Sequence, residues 1–287
     1  MLTLLFDGIA YGMLLFLLAV GLAVTLGLMN FINLAHGAFA MAGGYLTVLL
    51  MSRFGVPFLA CLPLAFLGVA ALGALLEPLL YRRMYAKPHL DQVLFSIGLV
   101  FIAVTAVDYF VGGTQQNVQV PAWLQGRFDI EWIGIGKYRL FIIVVCAALT
   151  LALQWMLTRT RFGAQLRASV DDPRVAGGLG LNVNRIFLLT FAVGSGLAGL
   201  GGALGAEVLG LDPTFPLKFM VYFLIVCAVG GTTTITGPLL AALLLGVADV
   251  AGKYYVPKLG AFIVYALMIA ILMVRPQGLF ARAGGGK

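Results

Sequence analysis

Long apolar runs separated by short polar stretches dominate this chain. The runs at 8–29, 57–77, 91–113, 139–157, 186–207 and 259–274 are each long enough to cross a hydrocarbon layer of about 30 Å as a helix. Three shorter runs, 37–51, 218–230 and 238–249, are bounded by Gly, Asn, Thr or Pro and predict broken or partial spans. The expected fold is therefore all-α: a polytopic transmembrane helical bundle of about eight spans, counting the broken or short ones. It forms a single domain over residues 1–287, with an external loop at about 112–138 and a cytoplasmic loop at about 158–185.

Irregular backbone at membrane depth survives only where protein or a water-filled cavity satisfies its polar groups. Two interruptions raise that question. The first is Asn30-Phe31-Ile32-Asn33-Leu34-Ala35-His36-Gly37, and the second is Gly230-Gly231-Thr232-Thr233-Thr234-Ile235-Thr236-Gly237-Pro238. Helix ends at such breaks can present free N–H or C=O groups to a solute. Asn30, Asn33, His36, Gly37, Gly230, Gly231, Thr232, Thr234 and Thr236 are thus candidate path-lining residues, and tight cytoplasmic turns are the alternative. Gly37 and Gly237 sit at corresponding places in a faint internal duplication. In 186–207, Gly194, Ala198, Gly202 and Ala206 recur every fourth residue, a spacing that lets helix backbones approach closely in lipid. That stripe predicts packing within the subunit or against a second one.

Composition sharpens the picture. Apolar residues make up 62% and charged residues 10% of the chain, against roughly 45–50% and about 25% in soluble domains, which excludes a water-soluble globule. Met1 to Asp7 holds no Lys or Arg, so the first run does not read as a cleaved signal. Cys61, Cys146 and Cys227 lie in apolar runs without metal-ligand spacing and read as packing residues. The net charge of +7 is spread over separate loops, which suits membrane orientation better than nucleic acid. Placing Arg82, Arg83 and Lys87, then Arg159 to Arg185, then Arg275, Arg282 and Lys287 all inside satisfies the crossing parity and puts the N-terminus outside. A re-entrant 30–51 would instead put it inside. Glu207, Asp108 and Asp249 fall near span ends and are expected at the interface.

No confident mid-span carboxylate for a coupling ion is evident, and no Gly-x-x-x-x-Gly-Lys-Ser/Thr phosphate loop occurs. Energy is then expected from a separate subunit pressing on the large inner loop. In that loop 164–170 can form a short helix, and Asp171 or Asp172 can cap a second whose Pro173 takes the first helical position. A solvated basic loop near anionic headgroups is the alternative.

The chain resembles the branched-chain amino acid ABC transporter permeases, specifically the LivH-type membrane subunit. The resemblance rests on Gly27-Leu-Met-Asn30-Phe-Ile-Asn33-Leu-Ala-His36-Gly37 with Met41 and Gly43-Gly44. It rests also on Arg161-Phe-Gly163 through Arg167-Ala168, Asp172-Pro173, Ala176, Gly180-Leu181, Gly230-Gly231, Gly237-Pro238 and Arg275-Pro276-Gln277-Gly278-Leu279-Phe280. It implies a second homologous permease subunit, two ATPase subunits and a soluble substrate-binding protein as partners. It further implies that Arg161, Gly163, Arg167, Asp171, Asp172, Pro173 and Arg174 belong to an ATPase-coupling loop. No cofactor is expected on this chain, with ATP and Mg on the partner subunits. One departure is that Glu77 is followed by Pro78, where the family often has Glu-Arg. A stand-alone secondary carrier and an intramembrane enzyme using His36 with Ser195 are the competing readings. No triad partner or motif surrounds those two side chains.

Overall fold

The computed structural model describes residues 1–130, 133–231, 234–276 and 278–279. Its elements are α1 (Leu2–Met29), α2 (His36–Phe54), α3 (Phe58–Leu79), α4 (His89–Val111), strands β1 (Arg127–Ile130) and β2 (Ile133–Gly136), α5 (Lys137–Arg159), α6 (Arg161–Asp171), α7 (Pro173–Gly178), α8 (Val183–Leu209), α9 (Phe215–Gly230), α10 (Thr236–Tyr255) and α11 (Gly260–Val274). By length and composition seven of these helices can cross a membrane, and α9 and α11 are shorter apolar helices. The apolar runs and the helices coincide to within a few residues. The run 218–230 and the run 238–249 form two separate helices, α9 and α10. At 16 residues, α9 extends only about 24 Å.

The protein is not purely helical. Within the loop between α4 and α5, β1 and β2 pair antiparallel, with Arg127 opposite Gly136 and Ile130 opposite Ile133. Four-residue strands carry too little periodic signal beside 20-residue apolar runs to be read from sequence.

The core is built around α1 and α8. Leu14, Leu15, Leu18 and Leu22 of α1 and Ala198, Ala203 and Leu204 of α8 are buried. Small residues set the spacing. A Cβ on Gly194 would lie 3.3 Å from Gly21 Cα, one on Gly202 would lie 2.6 Å from the Ala40 carbonyl carbon, and one on Gly199 would lie 2.7 Å from Val69 Cβ. Helix α8 therefore packs closely on α1, α2 and α3, and the stripe Gly194, Ala198, Gly202, Ala206 lies inside this subunit. In lipid, close van der Waals approach replaces the hydrophobic driving force that holds soluble cores together.

Helix direction places the loops. Asp7 of α1 pairs with Arg139 at the start of α5, so the start of α1 shares one end of the bundle with the hairpin. The far ends of the same helices, at Ala23, Val24 and Leu28 and at Gln154, Leu157 and Thr158, lie together beside α6. The N-terminus thus sits on the side opposite α6 and α7, which agrees with the crossing count and not with a re-entrant 30–51.

Candidate functional site: a cavity above the loop helices

At the end of the bundle that carries α6 lies a cavity of about 380 Å³, called the inner cavity below for the side on which the sequence places this loop. Ala23, Val24 and Leu28 of α1 form one wall, and Gln154, Leu157 and Thr158 of α5 another. Gly163, Leu166 and Arg167 of α6 close it below, and Thr234, Ile235 and Thr236 at the α9–α10 junction complete it. The second break and the loop helix, far apart in sequence, therefore share one space. Gly231 makes the turn with φ 75°, a conformation that suits glycine. A Cβ on Gly230 would meet Pro238 N at 2.5 Å, so α9 and the start of α10 abut. Beyond α11, Leu279 donates its N–H to Val229 C=O at 2.8 Å, which ties the chain's end to this junction. Thr232 lies outside the described residues, as do Thr233, Gln277, Phe280, Arg282 and Lys287.

Helix α6 is amphipathic, with Gly163, Leu166 and Ser169 buried on its inner face. Thr160 caps it, accepting from Gly163 N–H at 3.4 Å. Gly163 admits no side chain, since a Cβ there would fall 2.5 Å from the Leu157 carbonyl carbon and 2.7 Å from its Cα. Arg167 reaches over α6 to donate to the Leu157 carbonyl oxygen. Asp172 then opens α7, its Oδ1 accepting from Arg174 N–H at 2.9 Å and Val175 N–H at 3.0 Å, with Pro173 at the first position. The second of the two candidate caps is the one used, because only Asp172 stands directly before the proline. Arg161, Arg174 and Asp171 are exposed to solvent, as are Val175 and Leu179.

The first break is closed rather than cavity-lining. Asn30 is exposed and left-handed at φ 50°, a conformation Asn tolerates. Asn33 is buried and its Oδ1 accepts from Ala35 N–H at 3.1 Å. Two α4 side chains satisfy the remaining irregular backbone: Gln92 Oε1 accepts from Ile32 N–H at 3.0 Å, and Ser96 Oγ from Leu34 N–H at 3.2 Å. Sequence reasoning missed Gln92 and Ser96, although two polar residues four apart on one face of an apolar helix are a readable signal. His36 is buried against Gly21 and Phe223, and its Nε2 finds no hydrogen-bond partner among the described residues. Gly37 backs onto Pro216, and a Cβ on the glycine would lie 3.0 Å from Pro216 Cα. None of Asn30, Asn33, His36 and Gly37 lines the inner cavity.

Two carboxylates depart from expectation. Asp249 is covered by neighbouring helices and not open to water: it is 1% exposed inside α10, pairs with Lys253 Nζ at 2.6 Å, and its Oδ1 has no partner among the described residues. A position near a helix end reads as interfacial only until neighbouring helices are packed around it. Glu77 is fully buried and takes Arg82 in a bidentate pair, Nε to Oε1 at 3.2 Å and Nη2 to Oε2 at 2.7 Å. Helix α3 ends just past Pro78 and the turn that follows swings Arg82 back, so a Glu–Arg pair forms despite the departure at Pro78. At the end of the bundle opposite α6, Gln116 N–H donates to Leu211 C=O at 2.7 Å, and Asp212 pairs with Lys218. Burial would raise the Asp212 carboxyl, but its bonds from Lys218 and Thr214 outweigh that and hold it below the ordinary carboxylate range. Among the described residues no cluster of His, Cys, Asp or Glu is placed to hold a metal ion.

Seven helices long and apolar enough to span a bilayer define a multi-pass membrane protein. The family of branched-chain amino acid transport system permease components matches residues 4–272, and the chain belongs to it. It is 26% identical to the high-affinity branched-chain amino acid transport system permease protein BraD of Pseudomonas aeruginosa, over 96% of this chain and 94% of that one. It is 28% identical to the probable branched-chain amino acid transport permease protein LivH of Methanocaldococcus jannaschii, over 94% and 90%. It is also 29% identical to the high-affinity branched-chain amino acid transport system permease protein LivM of Escherichia coli, over 92% of this chain and 67% of that one. No solved structure matches it.

Proposed function

We propose that this chain is the membrane-spanning permease subunit of an ABC importer in the inner (plasma) membrane, moving branched-chain or related apolar amino acids. It works beside a second homologous permease subunit and two ATPase subunits, and receives solute from a soluble binding protein. It carries no catalysis and no cofactor of its own; ATP and Mg belong to the ATPases. One observation carries this reading: a cavity at the inner mouth is floored by α6, a helix held to the membrane bundle on one face and open to solvent on the other. A push on α6 and α7 from below is transmitted through Gly163 and Arg167 to the end of α5, and so to the walls of the cavity. Thr234 and Thr236 supply part of its polar lining. The relatives' names supply the solute class, and the apolar walls suit it.

The test is uptake of leucine by the reconstituted complex with ATPase subunits made inactive by substitution. Uptake is expected to stop while the membrane subunits stay assembled, and uptake that persists rejects the reading. A stand-alone carrier is the second reading, favoured by the buried carboxylate of Asp249. It requires this chain alone to concentrate leucine in liposomes under an ion gradient.

A further inference from the structure

A second cavity, of about 110 Å³, opens near the other end of the same helices. Asp7, Tyr11 and Leu14 of α1, Arg139 and Ile142 of α5, and Val250 of α10 line it. The inner cavity uses later turns of α1 and α5 and the start of α10. The two spaces therefore mark opposite ends of one seam. Between Leu14 and Ala23 every α1 residue is buried, which closes the seam over about 13 Å.

The outer cavity is chemically distinctive. Its two charges are opposite and adjacent, Asp7 and Arg139 forming an ion pair with side chains 21% and 41% exposed. A pair that water reaches is weakly held and can exchange partners. A second pair adjoins it: Lys253 Nζ lies 5.6 Å from the centre of the Tyr11 ring and 2.6 Å from Asp249 Oδ2. Asp249 Oδ1 is buried without a donor among the described residues, which leaves acceptor capacity for a cationic group beside the cavity. The four charges sum to zero, which matches a solute that carries one charge of each sign and no net charge. The remaining walls, Leu14, Ile142 and Val250, are apolar.

We infer that this outer cavity is a transient site for an α-amino acid zwitterion, with Arg139 taking its carboxylate, Asp7 its ammonium and the apolar walls its branched side chain. The inference rests on the transport reading above and names the residues that admit the solute to this subunit. Entry opens the Asp7–Arg139 pair and replaces it with two pairs to the solute. The buried stretch of α1 between the cavities then separates outer from inner access, as alternating access requires.

The test uses the complete complex in proteoliposomes with its binding protein and labelled leucine. Asp7→Asn and Arg139→Gln are each expected to cut uptake per ATP hydrolysed at least tenfold, with stimulation of hydrolysis by the binding protein kept within about twofold. The double exchange Asp7→Arg with Arg139→Asp rebuilds the ion pair with reversed polarity, so assembly and thermal stability return but uptake does not. Wild-type uptake in that exchange, or in both single variants, overturns the site and leaves a structural pair. Ile142→Trp fills the cavity from its apolar wall and leaves both charges in place. It is expected to block uptake even if the charge variants fail to assemble, and normal uptake in it overturns the site. Failure of the wild-type complex to import leucine while it hydrolyses ATP would instead sink the transport reading, and the site with it.

Discussion

Replacing Gly163 by Ala tests whether α6 is fastened to the bundle by direct backbone contact. The added Cβ would sit 2.5 Å from the Leu157 carbonyl carbon and 2.7 Å from Leu157 Cα, where 3.0 Å is the practical floor. The Leu157 carbonyl oxygen lies closer still, so helix α6 must retreat by more than the half ångström that separates the carbonyl carbon from that floor. The obstacle is main chain, so no side chain can swing aside. Overpacking of this kind costs typically about 1–3 kcal/mol, and a backbone obstacle puts the change in the upper part of that range. About 2–3 kcal/mol lowers the docked population of α6 roughly 30- to 140-fold. The same retreat lengthens the bond from Arg167 to Leu157. The assay is the number of leucine molecules imported per ATP hydrolysed in the reconstituted complex. That ratio is expected to fall at least tenfold while the chain still inserts. Gly98→Ala in α4 is the control, since nothing among the described residues lies within 4 Å of a Cβ there, and it should couple normally. Normal coupling in Gly163→Ala would refute the rigid-fastening argument.

Other outcomes follow from the same geometry. Gly202→Ala places a Cβ 2.6 Å from the Ala40 carbonyl carbon. It should lower the melting temperature of the purified protein by several degrees, about 2–4 °C per kcal/mol for a chain near this size. Gly98→Ala, with open space around it, should not. Asp172→Ala removes the α7 cap at a cost of about 1 kcal/mol, and is expected to weaken copurification of the ATPase subunits without changing membrane insertion. His36→Leu alters packing against Gly21 and Phe223 away from the cavity, and is expected to lower the melting temperature more than it slows leucine uptake by the assembled complex; slowed uptake at unchanged stability would give the residue a part in the path. The lowered carboxyl of Asp212 contributes stability that is fully present above its unfolded pKa and is lost as pH falls through its lower folded value. Protection of the Thr214 amide, which donates to Asp212 Oδ1 at 2.8 Å, should therefore fall on acidification once the intrinsic pH dependence of exchange is divided out, and Asp212→Asn should remove that residual dependence.

The positions of the spans were legible because helix formation in lipid is a local consequence of apolar length: every backbone polar group must be satisfied within its own segment. The Asp172 cap was legible for the same reason, since it involves residues two and three positions away. Residues that act across the fold were not legible. Gln92 and Ser96 look like isolated polar side chains in α4 until the irregular backbone of 31–34 is laid against them. Asp249 looked like an interfacial residue because burial depends on which helices cover it. The candidate path residues separated in the same way: Thr234 and Thr236 meet α6 at one cavity, and Asn33 and His36 are buried away from it.

By itself the sequence determined that the chain lives in a membrane, where its helices begin and end, and which loop carries the capped surface helices. Each of these depends on neighbouring residues and on transfer from water to lipid. The tertiary structure alone decided which breaks open onto a cavity, that the small-residue stripe of α8 faces α1 and α2, and that opposite charges from α1 and α5 meet at the outer end. Those outcomes depend on side-chain shape between segments far apart in sequence, and apolar periodicity holds no information about which faces interlock.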